Sequence, residues 1–270
     1  MKTRIISGAV FGIVMALTCF VAPAWVAAVT VAAMTALASY ELLFTTGLVR
    51  ELRLNLYSAL MAVLVTLWSY FGGSFPVMIL GILLYMLLLF GELLFSSGRL
   101  PVSKVCYCIL SGLLVPLLLS ALLRIRCWEH GRLLLLTPFI LAYCSDMGAY
   151  FVGVFFGRHK MCPNISPKKS WEGFWGGIAS AVVVMVLFAL ILNLTGKYQV
   201  NYLLAIVYGL VGSAGSVLGD LSMSVIKRQT GIKDYGHLIP GHGGILDRFD
   251  SVMVTAPLTE ALLLIIPFVE

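Results

Sequence analysis

The chain alternates long apolar runs with short polar breaks, and the runs are continuous rather than two-residue alternations. That pattern predicts helices and argues against a barrel, whose strands would read as ten-residue alternating segments. Runs near 5–22, 25–46, 54–71, 75–95, 104–123, 133–156, 173–194, 201–226 and 250–268 give about nine spans of membrane-crossing length. Only helices or closed barrels satisfy their backbone hydrogen bonds in hydrocarbon, so the expected fold is all-α, a polytopic integral membrane protein lying in a lipid bilayer.

Composition agrees with this pattern. Of 270 residues, 60% are hydrophobic and 11% charged, too little polar surface to cover a soluble globule. Met1 to Ala24 has the make-up of a secretory signal, with Lys2, Arg4, an apolar stretch and small residues at Ala22-Pro23-Ala24. A retained first span is preferred, because everything after it is also membrane.

Basic residues favour the cytoplasmic side. With nine spans and the N-terminus inside, fourteen of the eighteen Lys and Arg residues fall on cytoplasmic segments, leaving Arg124, Arg126, Arg132 and Lys197 outside. The net charge of +6 is therefore mostly topological, and no basic helix or aromatic-interleaved patch marks a nucleic-acid partner. The six cysteines contain no C-x-x-C pair and read as reduced, small apolar residues.

Polar chemistry is concentrated late in the chain. All five aspartates and sixteen of 26 glycines lie at or after position 146. Residues 1–130 thus read as N-terminal scaffold helices and 131–270 as a catalytic region with a cytoplasm-facing polar site. Gly153 with Gly157, and Gly215 with Gly219, are small residues four apart that suit close helix packing.

The densest stretch is Ser224 to Ser251, SVIKRQTGIKDYGHLIPGHGGILDRFDS. Asp220, Ser224 and Lys227 share one helix face, with Arg228 alongside, so a polar stripe enters the membrane. A buried ion pair is the simpler alternative for Asp220, and a helix-packing hydrogen bond for Asp146. Asp247 and Asp250, three apart, are close enough to repel without a cation, and Mg²⁺ suits sparse carboxylates with phosphate oxygens. The helix dipole alone is the competing account of that pair.

The turn Pro240-Gly241-His242-Gly243-Gly244 leaves room for backbone N–H groups to point at an anion, flanked by Lys227, Arg228, Lys233 and Arg248. His237 and His242 lack a cysteine or third histidine nearby and do not make a zinc site. A second cationic loop holds Arg158, His159, Lys160, Lys168 and Lys169, with Ser170 as an N-cap before Trp171-Glu172-Gly173. This loop reads as a second phosphate clamp, with positive-inside topology alone as the competing account of its lysines. Together these features suit a polyanionic nucleotide meeting a lipid, where positioning and charge neutralisation outweigh covalent catalysis.

Ser224-x-Ile226-Lys227-Arg228, Lys233-Asp234, Gly236, Ile239-Pro240, His242-Gly243-Gly244-Ile245 and Asp247-Arg248-Phe249-Asp250 resemble the motif of phosphatidate cytidylyltransferases, also called CDP-diacylglycerol synthases. Asp146-x-Gly148-Ala149-Tyr150-Phe151 and Ile165 to Gly173 are similar to that family too, so the likeness covers roughly 140–255. The resemblance implies reaction of CTP with phosphatidic acid to give CDP-diacylglycerol and pyrophosphate, by a Mg²⁺-dependent, commonly bacterial enzyme that works as a homodimer in the inner membrane. It implies Asp220, Asp247 and Asp250 as metal carboxylates, and Lys227, Arg228, Lys233 and His242-Gly243-Gly244 as the CTP phosphate site. Lys168, Lys169 and Ser170 then face the phosphatidate headgroup or the outer CTP phosphates. A CTP-dependent polyprenol kinase, releasing CDP, and a transporter of organic phosphates are the alternatives; mid-span Glu260 is the feature that favours the transporter.

Overall fold

A computed structural model gives the fold and describes residues 8, 10, 12–236, 238, 241 and 243–269. His237 and His242 lie outside the described residues. Among the described residues, seven helices are long and apolar enough to cross a membrane: α2 (Ala24–Thr45), α3 (Leu52–Phe71), α4 (Phe75–Phe95), α5 (Val102–Arg126), α6 (Gly131–Phe156), α7 (Trp171–Leu194) and α8 (Tyr202–Gln229). Two shorter apolar helices, α1 (Gly12–Val21) and α10 (Val252–Ile265), stand where the first and last of the nine expected spans were placed. One turn of helix, α9 (Leu246–Phe249), precedes α10. The chain is an all-α polytopic membrane protein.

One small sheet interrupts the helices. Strands β1 (Lys160–Cys162) and β2 (Ser166–Ser170) pair antiparallel, with Lys160 opposite Ser170 and Cys162 opposite Ser166. Three long helices also contain a wider π turn, at Glu41–Thr45, Leu110–Leu114 and Ile140–Cys144. α3 ends where Gly72 turns left-handed, with φ of 59°, a conformation that glycine adopts at little cost.

The helices form two compact units, residues 1–132 with 229–249, and residues 133–228 with 250–270. The segment 229–249, placed by sequence in the C-terminal region, groups with the N-terminal helices. In the first unit, Leu43, Leu54, Val65, Tyr85, Leu89, Val105 and Cys108 are buried together. Lipid tails give apolar side chains little reason to leave them, so helices there associate through close packing and hydrogen bonds. The unit accordingly carries buried polar bridges: Thr35 to Thr66 at 2.9 Å, Ser58 to Tyr85 at 2.9 Å, and Tyr85 donating to the Cys108 carbonyl at 2.7 Å.

The second unit packs through small residues. A Cβ on Gly148 of α6 would lie 2.4 Å from Ser180 Cβ and 2.9 Å from the Gly176 carbonyl of α7. A Cβ on Gly209 of α8 would lie 2.6 Å from Val182 Cα. These separations leave no room for a side chain. Gly219, one of the expected packing glycines, lets α8 pass the chain before α10: its Cβ would meet the Asp250 carbonyl at 2.5 Å.

Candidate active site

In the second unit, polar groups converge at one end of α6 and α8 and along the sheet. Asp146 follows the π turn of α6 and accepts from the Ser251 hydroxyl at 3.1 Å. The strand β2 delivers Lys168, Lys169 and Ser170 to the start of α7. There Ser170 Oγ accepts the Gly173 N–H at 3.1 Å, the expected N-cap.

Lys169 Nζ lies 2.7 Å from Asp220 Oδ2, and Ser224 Oγ donates to Asp220 Oδ1 at 3.1 Å, consistent with the shared helix face. The partner of Asp220 thus comes from another element, 51 positions away. A cavity of about 320 Å³ is lined by Asp146, Tyr150, Lys168, Lys169, Phe174 and Asp220. Its walls are largely apolar, with a few charged groups directed inward.

Arg228 Nε donates to the Ile165 carbonyl at 3.0 Å, tying the end of α8 to the loop between the strands. Glu172 has a comparable role that sequence inspection left unassigned. Its carboxylate accepts the N–H of Arg158 at 3.1 Å and of His159 at 3.2 Å, and meets the His159 ring at 2.6 Å. The signal for it was an acidic residue in the first turn of α7, where a helix N-terminus welcomes negative charge.

Asp250 sits in the turn before α10. Burial, and then the charge of Asp220, push its carboxyl up to about 7, with Lys227 opposing. A buried carboxyl beside a second carboxylate is a place that a cation would ease. Among the described residues, no group of three or more His, Cys, Asp or Glu side chains is arranged to hold a metal ion. Mg²⁺ keeps water and phosphate oxygens and needs only one or two protein carboxylates, a requirement that Asp220 and Asp250 fit.

Asp247 belongs to the first unit and is buried. Its Oδ2 accepts two backbone N–H groups, from Tyr235 at 2.8 Å and Gly244 at 2.9 Å. The N–H groups of Ile245 and Leu246 go to the Glu41 carboxylate, each at 3.0 Å. The glycine turn does aim N–H groups at anions, but for these three donors the anions are the chain's own carboxylates. The reason is burial: Gly244, Ile245 and Leu246 are buried, and an N–H without an acceptor there is costly. Lys233, Arg228 and Arg248 are exposed.

Fold and site define a helical membrane protein with a small, largely apolar cavity into which a paired lysine and aspartate are set. The chain matches the model of the cytidylyltransferase family over residues 2–266, and it belongs to that family. It is 47% identical to a phosphatidate cytidylyltransferase of Haemophilus influenzae over 128 residues, 47% of this chain and 44% of that protein. It is 37% identical to one from Staphylococcus epidermidis over 169 residues, 63% of each chain. With one from Pseudomonas aeruginosa it shares 37% identity over 153 residues, 53% of this chain and 52% of that protein. The matched segments thus span about half the length of these relatives.

Proposed function

We propose that the chain transfers the cytidylyl group of CTP to phosphatidic acid, giving CDP-diacylglycerol and pyrophosphate. The observation that carries this reading is the cavity where Lys168, Lys169 and Asp220 meet among membrane-length helices, in a member of the cytidylyltransferase family. The names of the relatives supply the substrate.

A phosphate oxygen of phosphatidic acid attacks the α-phosphorus of CTP, the bond to the bridging oxygen breaks, and pyrophosphate leaves. That oxygen is ionised at neutral pH, so no strong general base is required. Lys168 and Lys169 offset the repulsion between two anions, and Ser170 fixes the start of α7 beside them. Lys227 and Arg228 take phosphates of CTP; Lys233, Arg248 and the His242-Gly243-Gly244 turn are the further phosphate contacts that the family resemblance implies. Asp220 and Asp250 would hold Mg²⁺, whose charge would neutralise the reacting phosphates when bound; Asp247 is the third metal carboxylate that the family resemblance implies.

In this reading the chemistry faces the cytoplasm, which the bias of basic residues supports, in the inner membrane of a bacterium, and the protein works as the homodimer that the family resemblance implies. The test is incubation of the purified protein with phosphatidic acid, Mg²⁺ and CTP labelled separately at the α- and γ-phosphates. Label from the α position is expected in extracted lipid, with pyrophosphate released. Lipid labelled from the γ position, or not labelled while a control enzyme works in the same detergent, refutes the reading.

A further inference from the structure

Glu41 is a carboxylate in an otherwise uncharged span, and only 4% of its surface is exposed. An acidic group at such depth is costly and needs partners. It sits in the π turn that closes α2, where the helix widens. Both of its oxygens are directed at the 243–247 loop, Oε1 to the Ile245 N–H and Oε2 to the Leu246 N–H. The same π turn makes a second connection, since the Thr45 hydroxyl meets the Tyr235 carbonyl.

The glycines of the loop are shaped to this carboxylate. A Cβ on Gly236 would lie 2.6 Å from Glu41 Oε1, and one on Gly244 would lie 2.4 Å from Oε2. Gly243, at φ +85°, turns the chain so that Asp247 folds back onto the Gly244 N–H. Glycine at 236 and 244 thus gives the loop access to Glu41 rather than flexibility.

We infer that Glu41 is a positioning residue: its carboxylate holds the 243–247 segment in one conformation, and thereby sets where that segment's remaining groups meet a nucleoside triphosphate. The catalytic half of this statement rests on the function proposed above; the hold on the loop does not. Charge and geometry both matter. Glutamine keeps the volume but offers an amide N–H₂ to one of the two N–H donors, so one hydrogen bond is lost and a donor is left facing a donor. Aspartate keeps the charge one methylene short.

The test uses the full chain in detergent, with Glu41→Gln, Glu41→Asp and Gly236→Ala. Hydrogen exchange at the Ile245 and Leu246 amides reads the hold on the loop without reference to activity. Exchange at least tenfold faster is expected in Glu41→Gln, with exchange in α3 unchanged, and an intermediate value in Glu41→Asp. The KM for CTP is expected to rise about tenfold in Glu41→Gln and Gly236→Ala, with the KM for phosphatidic acid held within twofold. Unchanged exchange at both amides in Glu41→Gln overturns the inference. A fall in kcat alone, with the KM for CTP constant, overturns the positioning of nucleotide. Should the parent protein transfer no cytidylyl group while exchange responds as described, the proposed function falls and the hold on the loop is upheld.

Discussion

Replacing Lys169 with methionine keeps most of the side chain's volume and removes its charge. The 2.7 Å pair with Asp220 would be worth about 6 kcal/mol at an effective dielectric of 20, and about 1.5 kcal/mol in water. Its two side chains are 22% and 26% exposed, so the value lies between those limits. A loss of about 2–4 kcal/mol is expected, some of it recovered if Asp220 takes a proton. If the same charge is what neutralises the reacting phosphates, turnover falls by roughly 30- to 1,000-fold. The assay pairs α-label transfer with thermal unfolding in the same detergent. The double variant Lys169→Met/Asp220→Asn separates the two roles, because it leaves no uncompensated carboxylate at 220. It should regain much of the lost stability and none of the activity. Turnover within threefold of the parent in Lys169→Met would remove this lysine from the reaction. A double variant no more stable than the single one would show that the pair does not tie β2 to α8.

Asp247→Asn should lower turnover at least tenfold more than it lowers the amount of folded protein; near-normal turnover would take Asp247 out of the site. Gly148→Leu should prevent α6 and α7 from closing, because even a Cβ there lies 2.4 Å from Ser180 Cβ. Little folded protein is expected from size-exclusion chromatography in detergent, and a normal monodisperse yield would count against this packing.

Most of the helical frame was readable because a membrane span leaves a signal about twenty residues long. The run placed at 75–95 is α4, Phe75–Phe95, and the other long helices begin and end within a few residues of their runs. The sheet was not readable. Its strands hold Lys, Ser, Pro and Cys with no alternation, and their pairing depends on a loop that Arg228 fastens from 63 positions away. The site shows the same division. Ser170 as N-cap and Ser224 beside Asp220 are local relations, three and four residues apart, and spacing predicts them. Lys169 as the partner of Asp220, and Ser251 as that of Asp146, are tertiary choices that spacing cannot supply.

The two units handle their carboxylates in different ways, and the difference divides structural from chemical roles. Glu41 is buried and gives both of its oxygens to backbone N–H groups, an arrangement that fixes a loop and leaves those oxygens little capacity for anything else. Asp220 and Asp146 line a cavity, are held by side chains rather than backbone, and share that lining with lysines whose charge a phosphate can take up. A carboxylate bonded to backbone cannot change partner without moving the chain, whereas a lysine can turn from an aspartate to an arriving phosphate by rotating its own stem. On this basis, neutralising Asp220 should change how substrate charge is balanced, and neutralising Glu41 should change where the loop lies. Acidic residues that look equivalent in the sequence are thus expected to separate in kinetics, the first through turnover and the second through affinity for nucleotide.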